Sequence, residues 1–159
     1  MRTEEEATRA VETYGDMIRR ICALHLKNRQ DTEDVFQTVF LKYILYSGAF
    51  ENEQHEKAWF VRVTVNACRD LLRSLLRKRT VPLELAEDFC SPDDRESREV
   101  LMAVLHLPAK YKDAIYLHYY EGYSAGEITS ILDKKENTIY TWLARGRELL
   151  RQQLGGDWE

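Results

Sequence analysis

Among 159 residues the sequence has three cysteines, three prolines and seven glycines, and it has no long apolar run. Each scarcity removes a class of protein. Cys22, Cys68 and Cys90 are odd in number, widely spaced and without a C-x-x-C pair. A disulfide framework is therefore not expected, and reduced thiols are. Cys22 and His25 lie three apart on one helical face, but no further ligand stands at a metal-binding spacing, so packing is expected and a metal site is not. No stretch approaches the roughly 20 apolar residues that cross a bilayer, so membrane insertion is not expected. The start, Met1-Arg-Thr-Glu-Glu-Glu, is charged with no apolar segment behind it; a signal peptide is not expected, and the expected compartment is the cytoplasm. A phosphate-binding glycine loop, a nucleophile elbow and a paired zinc-ligand motif are also missing, and His55, His106 and His118 stand alone. Neither catalysis nor a cofactor is expected.

What remains is a charged, helix-forming chain. A hydrophobic content of 44% with 31% charged residues belongs to a globular protein, and the length allows one compact domain or two small ones. Ala7, Val11, Tyr14, Ile18 and Ile21 recur at three- and four-residue steps and predict a helix from Glu5 to about Lys27. Asp31, with Asp34 three residues on, offers a cap and an acidic first turn for a second helix, whose apolar face is Val35, Phe36, Val39, Phe40, Tyr43 and Ile44. Ser47 to Asn52 reads as a loop and about Glu56 to Arg79 as a long helix. Pro82 and Pro92 bracket an acidic stretch without periodicity, read as a linker. Leu101, Val104 and Leu105 then open a second helical unit, in which Pro108 marks a further helix start. The expected fold is all-α: two small helical domains, 1–79 and 99–159, joined by an acidic linker, 80–98.

The net charge is −4, but it is not spread evenly. Lys57 to Arg79 carries seven basic residues against Asp70 alone, and Glu84 to Glu99 carries seven acids against Arg95 and Arg98. On the long helix, Phe60, Val63, Thr64, Ala67, Cys68, Leu71 and Leu75 cluster on one side. Trp59, Arg62, Asn66, Arg69, Arg73 and Arg77 occupy roughly 80° of arc on the other. A solvated basic face is one reading of that stripe. The other is single-stranded or melting nucleic acid: an aromatic for stacking, an amide for base edges and arginines for phosphates, with almost no acids at pairing distance. Asp34, Gln37, Thr38 and Leu41 form a second face on the Asp31 helix. Acid, amide and leucine together suit a protein contact, whereas capping explains Asp34 alone equally well.

Near the C-terminus, Ser124 and Glu127 form a Ser-x-x-Glu capping box before Ile128, Ile131 and Leu132. Asp133-Lys134-Lys135 forms a turn, and Ile139, Leu143 and Leu150 are the packing positions of the next helix. Lys135, Asn137, Thr138, Tyr140, Thr141 and Arg145 are left to point outward, with Arg145 and Arg147 expected to meet phosphates. This is the layout of a helix-turn-helix. A stand-alone helix-turn-helix regulator would use only Leu107 to Leu154, leaving the Trp59 stripe and the Asp34 face without a task. A nucleic-acid enzyme built on Asp31, Glu33 and Asp34 lacks a ligand pattern for a metal.

Three segments, in this order, resemble the extracytoplasmic-function (ECF) class of bacterial sigma factors. Asp31-Thr-Glu-Asp-Val-Phe-Gln-Thr-Val-Phe-Leu-Lys is similar to the family's core-binding helix. Ala58-Trp-Phe-Val-Arg-Val-Thr-Val-Asn-Ala-Cys-Arg-Asp-Leu-Leu-Arg is similar to its promoter-melting helix, and Leu107 to Leu154 to its second domain. The resemblance implies a non-enzymatic factor that gives core RNA polymerase promoter specificity and helps melt the DNA. It implies three partners: the polymerase core through its largest-subunit coiled coil, promoter DNA, and an anti-sigma factor. Asp34, Gln37 and Leu41 match core-binding positions. Phe50, Trp59, Arg62, Asn66, Arg69 and Arg73 fall on the minus-ten side, with Phe50 to His55 as the pocket for a flipped base. Lys135, Asn137, Thr138, Tyr140, Thr141 and Arg145 fall on the minus-thirty-five side. The family's usual Gly, Ser and Gly near the turn are here Asp133, Lys135 and Asn137, and Tyr140 and Trp142 replace its common Lys and Arg.

Overall fold

The computed structural model describes residues 1–76 and 95–154. The chain divides into two compact units, Met1–Leu85 and Ala86–Glu159. Regular structure among the described residues is helical throughout. The expected linker lies outside those residues up to position 94, as do Arg77 to Arg79 and Cys90.

Unit one packs three helices, each against the other two: α1 (Glu4–His25), α2 (Arg29–Leu45) and α3 (Glu53–Leu76). Helix α1 opens on a capping box, the Glu6 amide donating to Thr3 Oγ1 at 3.1 Å and the Thr3 amide to Glu6 Oε2 at 3.4 Å. Tyr14, Ile18 and Ile21 enter the core as their spacing predicts, with Ala10, Met17, Cys22 and Leu24 beside them, but Val11 is exposed. The cap of α2 is Asn28, not Asp31: Asn28 Oδ1 accepts the Asp31 amide at 2.8 Å, and its Nδ2 donates to the Asp31 carboxylate at 2.8 Å. Asp31 is a first-turn acid that locks the cap from inside the helix. Helix α3 begins at Glu53, three residues before the expected start, because Asn52 Oδ1 accepts the His55 amide at 2.8 Å. Stacked and tilted rings fill the centre, with Phe60 4.7 Å from Tyr14, 4.8 Å from Tyr43 and 5.5 Å from Phe40.

Unit two contains α4 (Arg95–Leu105), α5 (Ala109–Ile115), a π-helical turn (Tyr116–Tyr120), α6 (Ala125–Leu132) and α7 (Glu136–Leu154). Helix α4 thus begins within the segment 80–98 read as linker. The π turn was not expected; its extra residue lets Tyr116 and Leu117 follow Ala114 and Ile115 into the core. The capping box at Ser124 forms as the spacing predicts: the Glu127 amide donates to Ser124 Oγ at 3.2 Å, and the Ser124 amide to Glu127 Oε1 at 2.9 Å. Asp133 ends α6 at φ 55° and ψ 53°, the left-handed conformation that Asp tolerates better than most residues. Helix α7 buries Ile139, Leu143, Gly146 and Leu150 against its neighbours. A side chain at Gly146 would put Cβ 2.8 Å from Ile115 Cγ1, so only glycine allows α7 this close to α5.

Candidate nucleic-acid interfaces

Two buried rows prepare the outer face of α3. Phe60, Thr64, Ala67 and Cys68 are buried as expected, the Thr64 hydroxyl donating to the Phe60 carbonyl at 2.7 Å. Val61 and Val65 are buried too, while Val63 and Leu71 are only half-buried. The interior of α3 is wider than a single stripe because α1 and α2 both pack on it. The opposite side carries Arg62, Asn66 and Arg73 exposed, with Trp59 and Arg69 half-buried. The stripe is not wholly without acids, since Asp70 reaches Arg73 at 3.6 Å. Both partners are exposed, so the pair is worth about 0.5 kcal/mol at most and yields readily to a phosphate. The described residues therefore place the expected stripe from Trp59 to Arg73 on one side of α3, while Arg77 lies outside them.

Trp59 links that surface to an aromatic cluster. Its ring lies 5.2 Å from Tyr46, 5.8 Å from Phe50, 5.9 Å from Tyr43 and 5.1 Å from Phe60. Phe50, in the loop between α2 and α3, also meets Tyr46 at 5.5 Å and His55 edge-on at 5.4 Å. His55 is engaged in the loop, its Nδ1 accepting the Glu51 amide at 3.0 Å. Tyr46 folds its ring over Gly48, where an added Cβ would lie 2.4 Å from the phenol. The loop from Tyr46 to Asn52 is held by ring contacts rather than backbone ladders.

Beneath this cluster sits a group that sequence reading missed. Glu56 is 6% exposed in the first turn of α3. Its carboxylate accepts Arg9 Nη2 at 2.7 and 2.9 Å, the Tyr14 hydroxyl at 2.9 Å and the Tyr43 hydroxyl at 3.0 Å. Burial by itself would raise the Glu56 carboxyl, but the bonds from Arg9, Tyr14 and Tyr43 outweigh it and hold the group below the ordinary carboxylate value. Burial, and then Glu56, push both tyrosines up. One carboxylate thus joins α1, α2 and the start of α3. The available signal was the spacing Glu56, Phe60, Thr64, Cys68, which puts an acid in register with the core face.

On α2, Asp34, Gln37, Thr38 and Leu41 are all exposed, as their spacing predicts. Gln30 donates to Asp34 Oδ1 at 3.2 Å, and Thr38 to the Asp34 carbonyl at 2.9 Å. Leu41 is 57% exposed, and Leu45, one turn on, is 62% exposed. Leu45 falls in the same arc as Asp34, Gln37 and Leu41, and extends the apolar part of the face. In unit two, Lys135, Asn137, Tyr140, Thr141 and Arg145 are exposed and Thr138 is half-buried. Arg145 reaches Glu148 at 3.0 Å. Arg147, half-buried and two positions on, lies on another side of α7 and donates to the exposed Tyr119 hydroxyl at 3.2 Å, so it does not share the outer face with Arg145. Trp142 is half-buried, whereas Tyr140 stands 56% exposed.

Among the described residues no group of three or more His, Cys, Asp or Glu could hold a metal ion. Cys22 packs in the core against Cys68, sulfur to sulfur 3.9 Å. No helix among these residues is long and apolar enough to cross a membrane.

Comparison with known proteins gives these surfaces a context. Residues 10–80 match the family model for sigma-70 region 2, and residues 97–150 match that for sigma-70 region 4. The chain is 30% identical to the RNA polymerase sigma factor SigV of Bacillus subtilis over 138 residues, covering 85% of this chain and 82% of that protein. It is 29% identical to the ECF RNA polymerase sigma factor SigW of the same organism over 161 residues, covering 91% and 86%. Among solved structures, the sigma factor RpoE of Bartonella quintana, in complex with the anti-sigma factor NepR, shares the fold with a TM-score of 0.72 at 19% identity, over 97% of this chain and 99% of that one. CnrH, in complex with the cytosolic domain of CnrY, shares it with a TM-score of 0.70 at 20% identity, over 98% and 92%.

Proposed function

The chain belongs to the ECF class of RNA polymerase sigma factors, and on that premise we propose a division of labour between its two units. As a sigma factor it directs RNA polymerase to promoters and is not itself an enzyme. Unit one docks on the largest-subunit coiled coil of the polymerase through Asp34, Gln37 and Leu41, with Leu45 extending the contact. Its α3 face then opens the minus-ten element: Arg62, Arg69 and Arg73 hold phosphates, Asn66 meets base edges, and Trp59 and Phe50 stack on unpaired bases. Opening a step of duplex costs about 1.4 kcal/mol in stacking. Each base stacked on an aromatic returns roughly 1–3 kcal/mol, so a few captured bases hold a bubble without nucleotide hydrolysis. Unit two anchors the complex upstream through Lys135, just before α7, and Asn137, Thr138, Tyr140, Thr141 and Arg145 on it.

The observation that carries this reading is that one unit exposes both an acid, an amide and two leucines on α2 and an aromatic and arginine surface on α3. A stand-alone regulator has no use for either. RpoE and CnrH are each held by a protein in their solved complexes, and we extend that to this chain as an anti-sigma partner in the cytoplasm. The test is assembly. Purified protein should co-elute with core polymerase, and the double variant Asp34→Ala, Gln37→Ala should weaken that association at least tenfold, about 1.4 kcal/mol. Tight sequence-specific DNA binding without core, unaffected by the double variant, would favour the stand-alone regulator.

A further inference from the structure

Arg2 lies far from α3 in sequence and outside every motif described above, yet it is wired into the loop that carries Phe50. Its amide donates to the Ile44 carbonyl at 3.0 Å, one of the last four carbonyls of α2 that the helix itself leaves unpaired. Its guanidinium lies 4.6 Å from the centre of the Tyr43 ring and 5.0 Å from that of Phe50. Those two rings are nearly parallel, at 11°. Nη2 donates to the Gly48 carbonyl at 2.7 Å, and Nη1 lies 3.8 Å from Glu6. The Arg2 side chain is 16% exposed, so this is a desolvated cation and its ring contacts are stronger than at an open surface. The positive end also sits at the C-terminus of α2, where the helix dipole favours it.

We propose that Arg2 is a positioning residue for base capture: it ties the Tyr46–Asn52 loop to the end of α2 and so sets the shape of the pocket around Phe50. The loop has no backbone ladder of its own, and its geometry rests on the Tyr46, Phe50, His55 and Trp59 rings with Arg2 across the top. Arginine suits the task because its planar fork stacks on rings and donates to a carbonyl at once, which a lysine ammonium does not do. Without the clamp Phe50 samples several positions, and a flipped base loses a defined stacking partner. This inference rests on the reading of the loop as the minus-ten base pocket.

The test uses holoenzyme reconstituted with core polymerase and a forked promoter DNA, its non-template strand single through the minus-ten element. Each of those bases is replaced in turn by an abasic site. The position at which wild type loses most affinity marks the captured base. Arg2→Ala should bind the intact fork about tenfold more weakly than wild type, the size of one lost charge-assisted hydrogen bond. On the fork that is abasic at the captured position, the two proteins should bind alike. Equal loss on both forks, no loss, or tighter binding by Arg2→Ala would each overturn the inference. If Arg2→Ala lowers the melting temperature of the protein sharply, Arg2→Lys, which keeps the charge but not the fork, should show the same base-dependent loss at reduced size; full retention by Arg2→Lys would overturn the clamp. A wild-type protein indifferent to every abasic position would instead refute the pocket itself, before any substitution is made.

Discussion

Trp59 and Tyr140 are both aromatic residues on faces proposed to meet DNA, and they are built into the molecule in opposite ways. Trp59 is half-buried, within 6 Å of four other rings, above a carboxylate that ties three helices together. Tyr140 stands clear of the core on a helix whose interior face is Ile139, Leu143, Gly146 and Leu150. The contrast extends to each unit as a whole. In unit one the aromatic contact residues, Trp59 and Phe50, share their packing with core rings, so there fold and function are coupled. In unit two the outward face is separable from the packing face, and contacts there are free to change without unfolding the helix. A surface that must hold unpaired bases in one geometry needs the first design, and a helix that reads a preformed groove needs only the second.

The largest way to break that contrast is Glu56→Ala. It leaves the buried Tyr43 hydroxyl without its acceptor, Tyr14 with only the Glu53 carbonyl at 3.4 Å, and Arg9 without its partner, and should cost unit one about 3 kcal/mol, the lower end for a broken buried pair because Arg9 is itself half exposed. Hydrogen exchange should show the loss in α1 to α3 and none in α4 to α7. The same carboxylate gives unit one an acid limb. Its folded pKa is depressed, so its stabilisation is present above the unfolded value of about 4.3 and is lost as pH falls through the folded value. Glu56→Gln should flatten that limb, and a limb unchanged in the variant would assign acid sensitivity elsewhere.

Gly146→Ala probes the other side of the comparison. A methyl group 2.8 Å from Ile115 Cγ1 forces α7 from α5. Overpacking costs about 1–3 kcal/mol, and the gain in helix propensity returns about 1 kcal/mol, so the melting curve of unit two should fall by about 1 kcal/mol while α1 to α3 keep their exchange protection. Unchanged stability would show that α7 can move off α5 without strain.

These elements differ in how far they could be read beforehand, and distance along the chain explains most of it. The capping box at Ser124, the turn at Asp133 and the packing row of α7 depend on neighbours within four residues, so spacing alone located them. The faces of α2 and α3 were legible for the same reason. Glu56 was not, because an isolated acid reads as surface until Arg9, Tyr14 and Tyr43 arrive from 47, 42 and 13 residues away. Arg2 meets Gly48 across 46 residues. The cap at Asn28 was hidden by competition, since Asn28 and Asp31 are both good capping residues and only the backbone decides between them. No periodicity marks the π turn, which follows from where Tyr116 and Leu117 find room.

Asp133→Gly carries the smallest expected effect. Glycine adopts φ 55° without a Cβ penalty, so unit two should gain about 0.5 kcal/mol, net of the larger entropy glycine loses on folding. A loss would show that the Asp133 side chain supports the turn.

The role proposed for the α3 face in opening DNA is tested most directly by run-off transcription with core polymerase and the Asn66→Ala variant on two templates, one fully duplex and one with the minus-ten region already open. We expect the loss to be about tenfold greater on the duplex promoter than on the open one, about 1.4 kcal/mol. Equal loss on both templates would contradict a role for the α3 face in opening DNA.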